Sequence, residues 1–153
     1  MIICLYFTLT WIIFLSLLST GNKLGLIKAS FLFLTVCLLN SHFYLLISEN
    51  FKGFTVSDKT THYISFILWK TLIVPAFLVL SFKISRGMVA AKYLILLSGG
   101  FFAVCMAVVD EIGKTVGLYT YEWWNLFWSL LYFYSLYLST YCLYQLFIKL
   151  EDA

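Results

Sequence analysis

"YISFILWKTLIVPAFLVLSF", residues 63–82, is an apolar run that carries a lysine at position 70 and the chain's single proline at position 75. A bilayer core about 30 Å thick is crossed by a helix of about 20 mostly apolar residues, and this run has that length. A lysine at a helix centre costs about 2.5–3.5 kcal/mol on an insertion scale, whereas each Leu, Ile, Phe or Val returns about 0.3–0.6 kcal/mol. Twelve such residues lie between Ile64 and Phe82, enough to carry Lys70 into the membrane. The stretch reads as a membrane span that brings one charged group with it.

The remainder of the chain fits the same solvent. It has 153 residues, 63% hydrophobic and 11% charged, against roughly 25% charged in an average soluble domain. A soluble domain this short could not hide so much apolar surface. Five segments reach spanning length, at 2–20, 29–48, 63–82, 90–110 and 124–148, each bounded by polar or charged residues. The expected fold is therefore all-α: one polytopic bundle of five transmembrane helices over residues 1–153, with no soluble domain. Strand-type alternation and internal repeats are not evident, which argues against a transmembrane barrel. The first segment has no Lys or Arg before Lys23 and is expected to be a retained span rather than a signal peptide.

Orientation follows from lysine and arginine near the helix ends. With five spans, one side receives Lys23, Lys28, Lys83, Arg86, Lys92 and Lys149, and the other Lys52, Lys59 and Lys114. The richer side is expected to be cytoplasmic, which puts the N-terminus out and the C-terminus in, in a multi-pass plasma-membrane protein. A net charge of +3 without a basic, aromatic-interleaved surface gives no reason to expect nucleic acid. Cys4, Cys37, Cys105 and Cys142 all fall inside spans without CxxC or Cys/His spacing, so they are expected to be free packing thiols. No HxxxH or ExxH spacing suggests a metal, and no cofactor motif is apparent.

Depth comparison gathers polar residues from four helices in the outer half of the bilayer: Asn40 and His42, Lys70, Asp110 and Glu111, and Trp124 and Asn125. Lys70 lies about 10 Å into its helix from Tyr63 at 1.5 Å per residue. Its ammonium either snorkels to the headgroups, pairs with Asp110 or Glu111, or meets an anion or a wet cavity. Pro75 is expected to loosen this helix and free a nearby carbonyl. Asn40 and His42 serve either as interhelical hydrogen-bonding groups or in a ligand or proton-relay role. Gly99, Ala103 and Ala107 recur every four residues as a small-residue ridge, and Glu111 is next in that row. Tyr134, Tyr137, Tyr141 and Tyr144 form one face of the fifth helix, for internal packing, a partner interface or an amphipathic ligand.

No GxSxG, HExxH, P-loop or dinucleotide fingerprint is present. Asp110 and Glu111 are adjacent, so on a helix they diverge by about 100° and do not form a paired acid and base. The spacing of Glu111, Gly117, Tyr121, Trp124, Asn125 and Ser129 resembles that in small membrane proteins of spore-forming Gram-positive bacteria. That resemblance covers the last third of the chain and implies a five-helix bundle in a bacterial plasma membrane, with no activity attached. Three function classes stand open. The first is a non-enzymatic subunit that binds a membrane-protein partner, a second copy or a small ligand. The others are a small or proton-coupled transporter and a lipid-modifying enzyme, and size favours the first.

Overall fold

The computed structural model describes residues 2–20, 24–87 and 92–151. Lys23 and the side chains of Arg86 and Lys92, which enter the charge count, lie outside the described part, as does the expected start of the fourth span at 90. In chain order the elements are α1 (Ile2–Ser19), α2 (Leu26–Leu45), a π-wound turn (Leu46–Asn50) and β1 (Phe54–Val56). Then follow α3 (Thr60–Leu68), a second π-wound turn (Trp69–Ile73), α4 (Val74–Gly87), α5 (Lys92–Thr115), β2 (Tyr119–Tyr121) and α6 (Leu126–Glu151). Among the described residues, five helical stretches are long and apolar enough to cross a membrane: Ile2–Ser19, Leu26–Asn50, Thr60–Ser85, Ile95–Thr115 and Leu126–Leu150. Each coincides with an expected segment. The fourth runs to Thr115 rather than 110, because Asp110 finds partners inside and Lys114 pairs with Glu111 at 2.9 Å across one turn.

The α3–α4 span is the most enclosed, packing on α1, α2 and α5, while α5 and α6 share the longest helical seam. Its Trp69, Ile73, Val74, Ala76, Leu78 and Val79 are almost wholly buried. The α5–α6 seam forms because Gly99, Ala103 and Ala107 are all buried and let α6 approach. A Cβ on Gly99 would stand 2.6 Å from the Tyr137 ring, so the ring lies directly on the α5 backbone. In contrast α1 buries Tyr6 and Ile13 but exposes Leu5, Phe7, Trp11, Ile12, Leu15 and Leu18, an apolar surface suited to lipid.

The fold is all-helical as expected, with one addition that the sequence did not show, a short pair of strands. β1 and β2 pair antiparallel, Phe54 opposite Tyr121, Thr55 opposite Thr120 and Val56 opposite Tyr119. Three residues are too few for a period-two pattern to stand out from a loop. The pairing ties the segment after α2 to the segment after α5, so both lie at one end of the bundle. Gly117, at φ +79, makes this possible. It sits in the left-handed conformation that ends α5, with Gly117 N–H bonded to Lys114 O at 2.9 Å and Leu118 N–H to Gly113 O at 3.0 Å. That two-bond helix stop turns the chain sharply, and Leu118 is buried beneath it.

Candidate functional site

The helix stop delivers β2 directly over the last turns of α5. Successive strand side chains point to opposite faces, so Tyr119 and Tyr121 share a face and Thr120 takes the other, bonded to Thr55 at 2.6 Å. The tyrosine face meets Asp110. Tyr119 donates its hydroxyl to Asp110 Oδ1, and also to the Asp110 carbonyl at 2.7 Å. Tyr121 donates to Oδ2 at 2.6 Å, and Ser129, from the first turn of α6, donates to the same oxygen at 2.6 Å. Trp124 Nε1 completes the chain by donating to Ser129 Oγ at 2.8 Å. Three hydroxyls on two oxygens suit a group that only accepts. Burial first, and then the nearby Asp110 charge, pushes both phenols well above their ordinary range, so they remain donors.

The space against this carboxylate is a cavity of about 10 Å³ walled by Phe43, Tyr44, Phe54 and Tyr132. That is room for one water at most. The Asp110 group is thus a closed knot that fastens the two-stranded strap to α5 and α6, with no space for a solute.

A second polar knot lies beside it at the π-wound turn. Val74 N–H bonds to Trp69 O, five residues back. In that register the Lys70 carbonyl requires the N–H of residue 75, which is proline and has none. Asn40 fills the gap: its Nδ2 donates to Lys70 O at 2.5 Å, and its Oδ1 accepts from the Tyr132 hydroxyl. Thr71, four residues before the proline, loses its α-helical donor too, and Cys37 Sγ lies 3.7 Å from its carbonyl. Asn40 therefore bridges α2, the third span and α6 with both ends of its amide engaged.

The structure separates other residues that the sequence grouped. His42 is exposed, its Nδ1 2.9 Å from Leu38 O of its own helix. Asn125 caps α6, its side-chain oxygen accepting from Trp128 N–H at 3.2 Å. Glu111 is half out of the bundle on Lys114, so the small-residue ridge leads to Asp110 and not to Glu111. Tyr137 and Tyr144 are buried against Phe82, whereas Tyr134 and Tyr141 are only half-buried. Of the three alternatives for Lys70, the pairing with Asp110 or Glu111 is not formed. Asp110 is taken up by hydroxyls and Glu111 by Lys114, while Lys70 Nζ stands 5.5 Å from the Phe66 ring.

Lys70 instead lines an open groove of about 710 Å³ between the end of α2, the start of α3 and the outer face of the strap. Glu49, Asp58 and Tyr63 are exposed along it, with Ser48, Phe66 and Thr120 also in its walls. Sequence reasoning missed the strap residues Tyr119 and Thr120 and the groove acids Glu49 and Asp58. The first pair had no local signal beyond Gly117, a residue suited to ending a helix; for the acids it was only their place in the facing loop.

Five helices long and apolar enough to cross a membrane, closed at one end by a strap that carries a polar groove, suit a multi-pass membrane protein. No family model matches this chain, and no curated protein or solved structure matches it either. Among the described residues no cluster of three or more His, Cys, Asp or Glu has the arrangement to hold a metal.

Proposed function

We propose that this chain is a non-enzymatic membrane protein that holds a small ligand in the strapped groove, with Lys70 receiving the ligand's anionic end. The observation that carries the reading is that Lys70 lines this groove while, among the described residues, no carboxylate stands within ion-pairing distance of it. An ammonium at this depth is costly unless an anion or water attends it. A volume of about 710 Å³ lies within the range of small-molecule sites. Glu49 and Asp58 offer carboxylates to a cationic end, and Tyr63 and Phe66 offer apolar wall to the body between. The set favours a small zwitterionic or anionic solute.

The Asp110 knot supports this role indirectly, since it holds the strap that forms one wall. The lysine and arginine balance orients the groove to the outside of the cell, and the resemblance to membrane proteins of spore-formers suggests a bacterial plasma membrane. Half-buried Tyr134 and Tyr141 leave α6 a face for a membrane partner or a second copy. The transport reading draws on the π-wound turn, since broken helices line many carrier sites. Here both carbonyls at the break already have partners in Asn40 and Cys37, which favours a fixed structure over a moving gate.

The test is mass spectrometry of material bound to the detergent-purified protein. A charged solute retained by wild type and lost in Lys70→Met supports the proposal. Equal retention in both removes Lys70 from the site, and a stoichiometric protein or a lipid intermediate in place of a solute points to the other classes.

A further inference from the structure

A second groove opens at the other end of the bundle and owes nothing to the first. α1 and α2 each pack on α4 far more than on each other, and a cleft remains between them, spanned by the Phe14–Phe33 ring pair at 6.4 Å. The cleft has a volume of about 680 Å³, with Leu17, Ala29, Phe33 and Leu34 as walls and Leu72 and Val79 as floor. Lys83 is the charged residue in this lining. It is only 7% exposed, and its Nζ donates to Leu17 O at 2.9 Å, in the last turn of α1. Among the described residues no carboxylate pairs with it. An ammonium has three donors, and one carbonyl leaves two for a ligand.

We propose that this cleft binds one acyl chain of an anionic phospholipid, with the lipid phosphate against Lys83. Three features select that occupant. Lys83 lies near the end of α4, and the cleft extends from its level toward the middle of the bundle. From Leu26 to Leu34 along α2 the apolar wall measures about 12 Å at 1.5 Å per residue, close to the depth of one leaflet in a core about 30 Å thick. The rim residues Leu18, Leu26 and Leu34 are exposed, so the cleft opens sideways and a second acyl chain can stay in the bilayer. A buried ammonium without a carboxylate supplies the complementary charge.

The experiment is native mass spectrometry of the full chain, delipidated in detergent and titrated with phosphatidylglycerol, with phosphatidylcholine, or with glycerol phosphate alone. Both lipids carry the phosphate, but the choline ammonium cancels its charge at Lys83, so wild type is expected to retain phosphatidylglycerol over phosphatidylcholine by roughly fivefold or more. Glycerol phosphate alone should not be retained, because the acyl wall contributes to binding. Lys83→Met should abolish the preference, Lys83→Arg should keep it, and Ala29→Trp should block retention by filling the cleft. Lys149→Met, an exposed charge elsewhere, should change nothing. No headgroup preference in wild type, or an undiminished one in Ala29→Trp, overturns the proposal even if Lys83→Met does not fold. Tight retention of glycerol phosphate alone would make the site one for soluble phosphates.

Discussion

Tyr119 and Tyr121, two residues apart on one short strand, donate their hydroxyls to opposite oxygens of the Asp110 carboxylate. A buried acceptor removed from its donors leaves each of them unsatisfied, at about 1–3 kcal/mol per group. Asp110→Leu should therefore lower the melting temperature in detergent more than Tyr119→Phe or Tyr121→Phe does. Of the two phenols, Tyr119 should cost more, because it is fully buried and also bonds the Asp110 carbonyl. If all three variants melt like wild type, the knot does not hold the strap.

Gly99 and Gly100 are neighbours with opposite surroundings. A Cβ at 99 would meet the Tyr137 ring at 2.6 Å, while a Cβ at 100 would meet nothing within 4 Å. Gly99→Ala should destabilise by about 1–3 kcal/mol, the usual cost of overpacking. Gly100→Ala should stabilise by about 0.5–1 kcal/mol through helix propensity alone. Thermal melting of the pair checks the α5–α6 seam, and equal effects would contradict it.

The link between Asn40 and Pro75 is testable as a double-mutant cycle. Asn40→Leu strands the Lys70 carbonyl and the Tyr132 hydroxyl, and should cost about 1–3 kcal/mol. Pro75→Ala restores a backbone N–H, so the helix can satisfy its own carbonyls. The double variant should recover part of the loss, with a coupling of at least about 0.5 kcal/mol. Strict additivity would mean that the proline does not create the need for Asn40.

These relationships show how far the sequence could be read. Five spans were legible because their apolar runs are long and depend on no partner. The Gly99–Ala103–Ala107 ridge was legible as a seam, but it pointed to Glu111 at its end, whereas Asp110 is the acid that turns inward. Those neighbours flank the same row, and only the return of β2 decides which one is covered. Tyr121, Trp124 and Ser129 stood out by spacing alone, and their meeting at Asp110 depends on the left-handed turn at Gly117. Pro75 did signal a freed carbonyl. The surroundings of Lys70 depend on where two loops dock, which no local pattern encodes.

Orientation rests on the charge count, and labelling examines it. In a background without Cys4, Cys37, Cys105 and Cys142, single cysteines at the exposed positions Lys59 and Lys149 should react differently with a membrane-impermeant maleimide. Position 59 should label in intact cells and position 149 only after permeabilisation. The reverse pattern would turn the strapped groove toward the cytoplasm.

For Lys70 to serve a ligand, its charge must not be spent on Asp110. A melting cycle with Lys70→Met, Asp110→Asn and the double variant measures this directly. Lys70→Met should be neutral or mildly stabilising in the ligand-free protein, and Asp110→Asn destabilising. The two effects should add within about 0.3–0.5 kcal/mol, as for sites that share no partner. If Lys70→Met alone is costly, and Asp110→Asn rescues it, the two charges are paired in the bundle and the groove has no ammonium to offer.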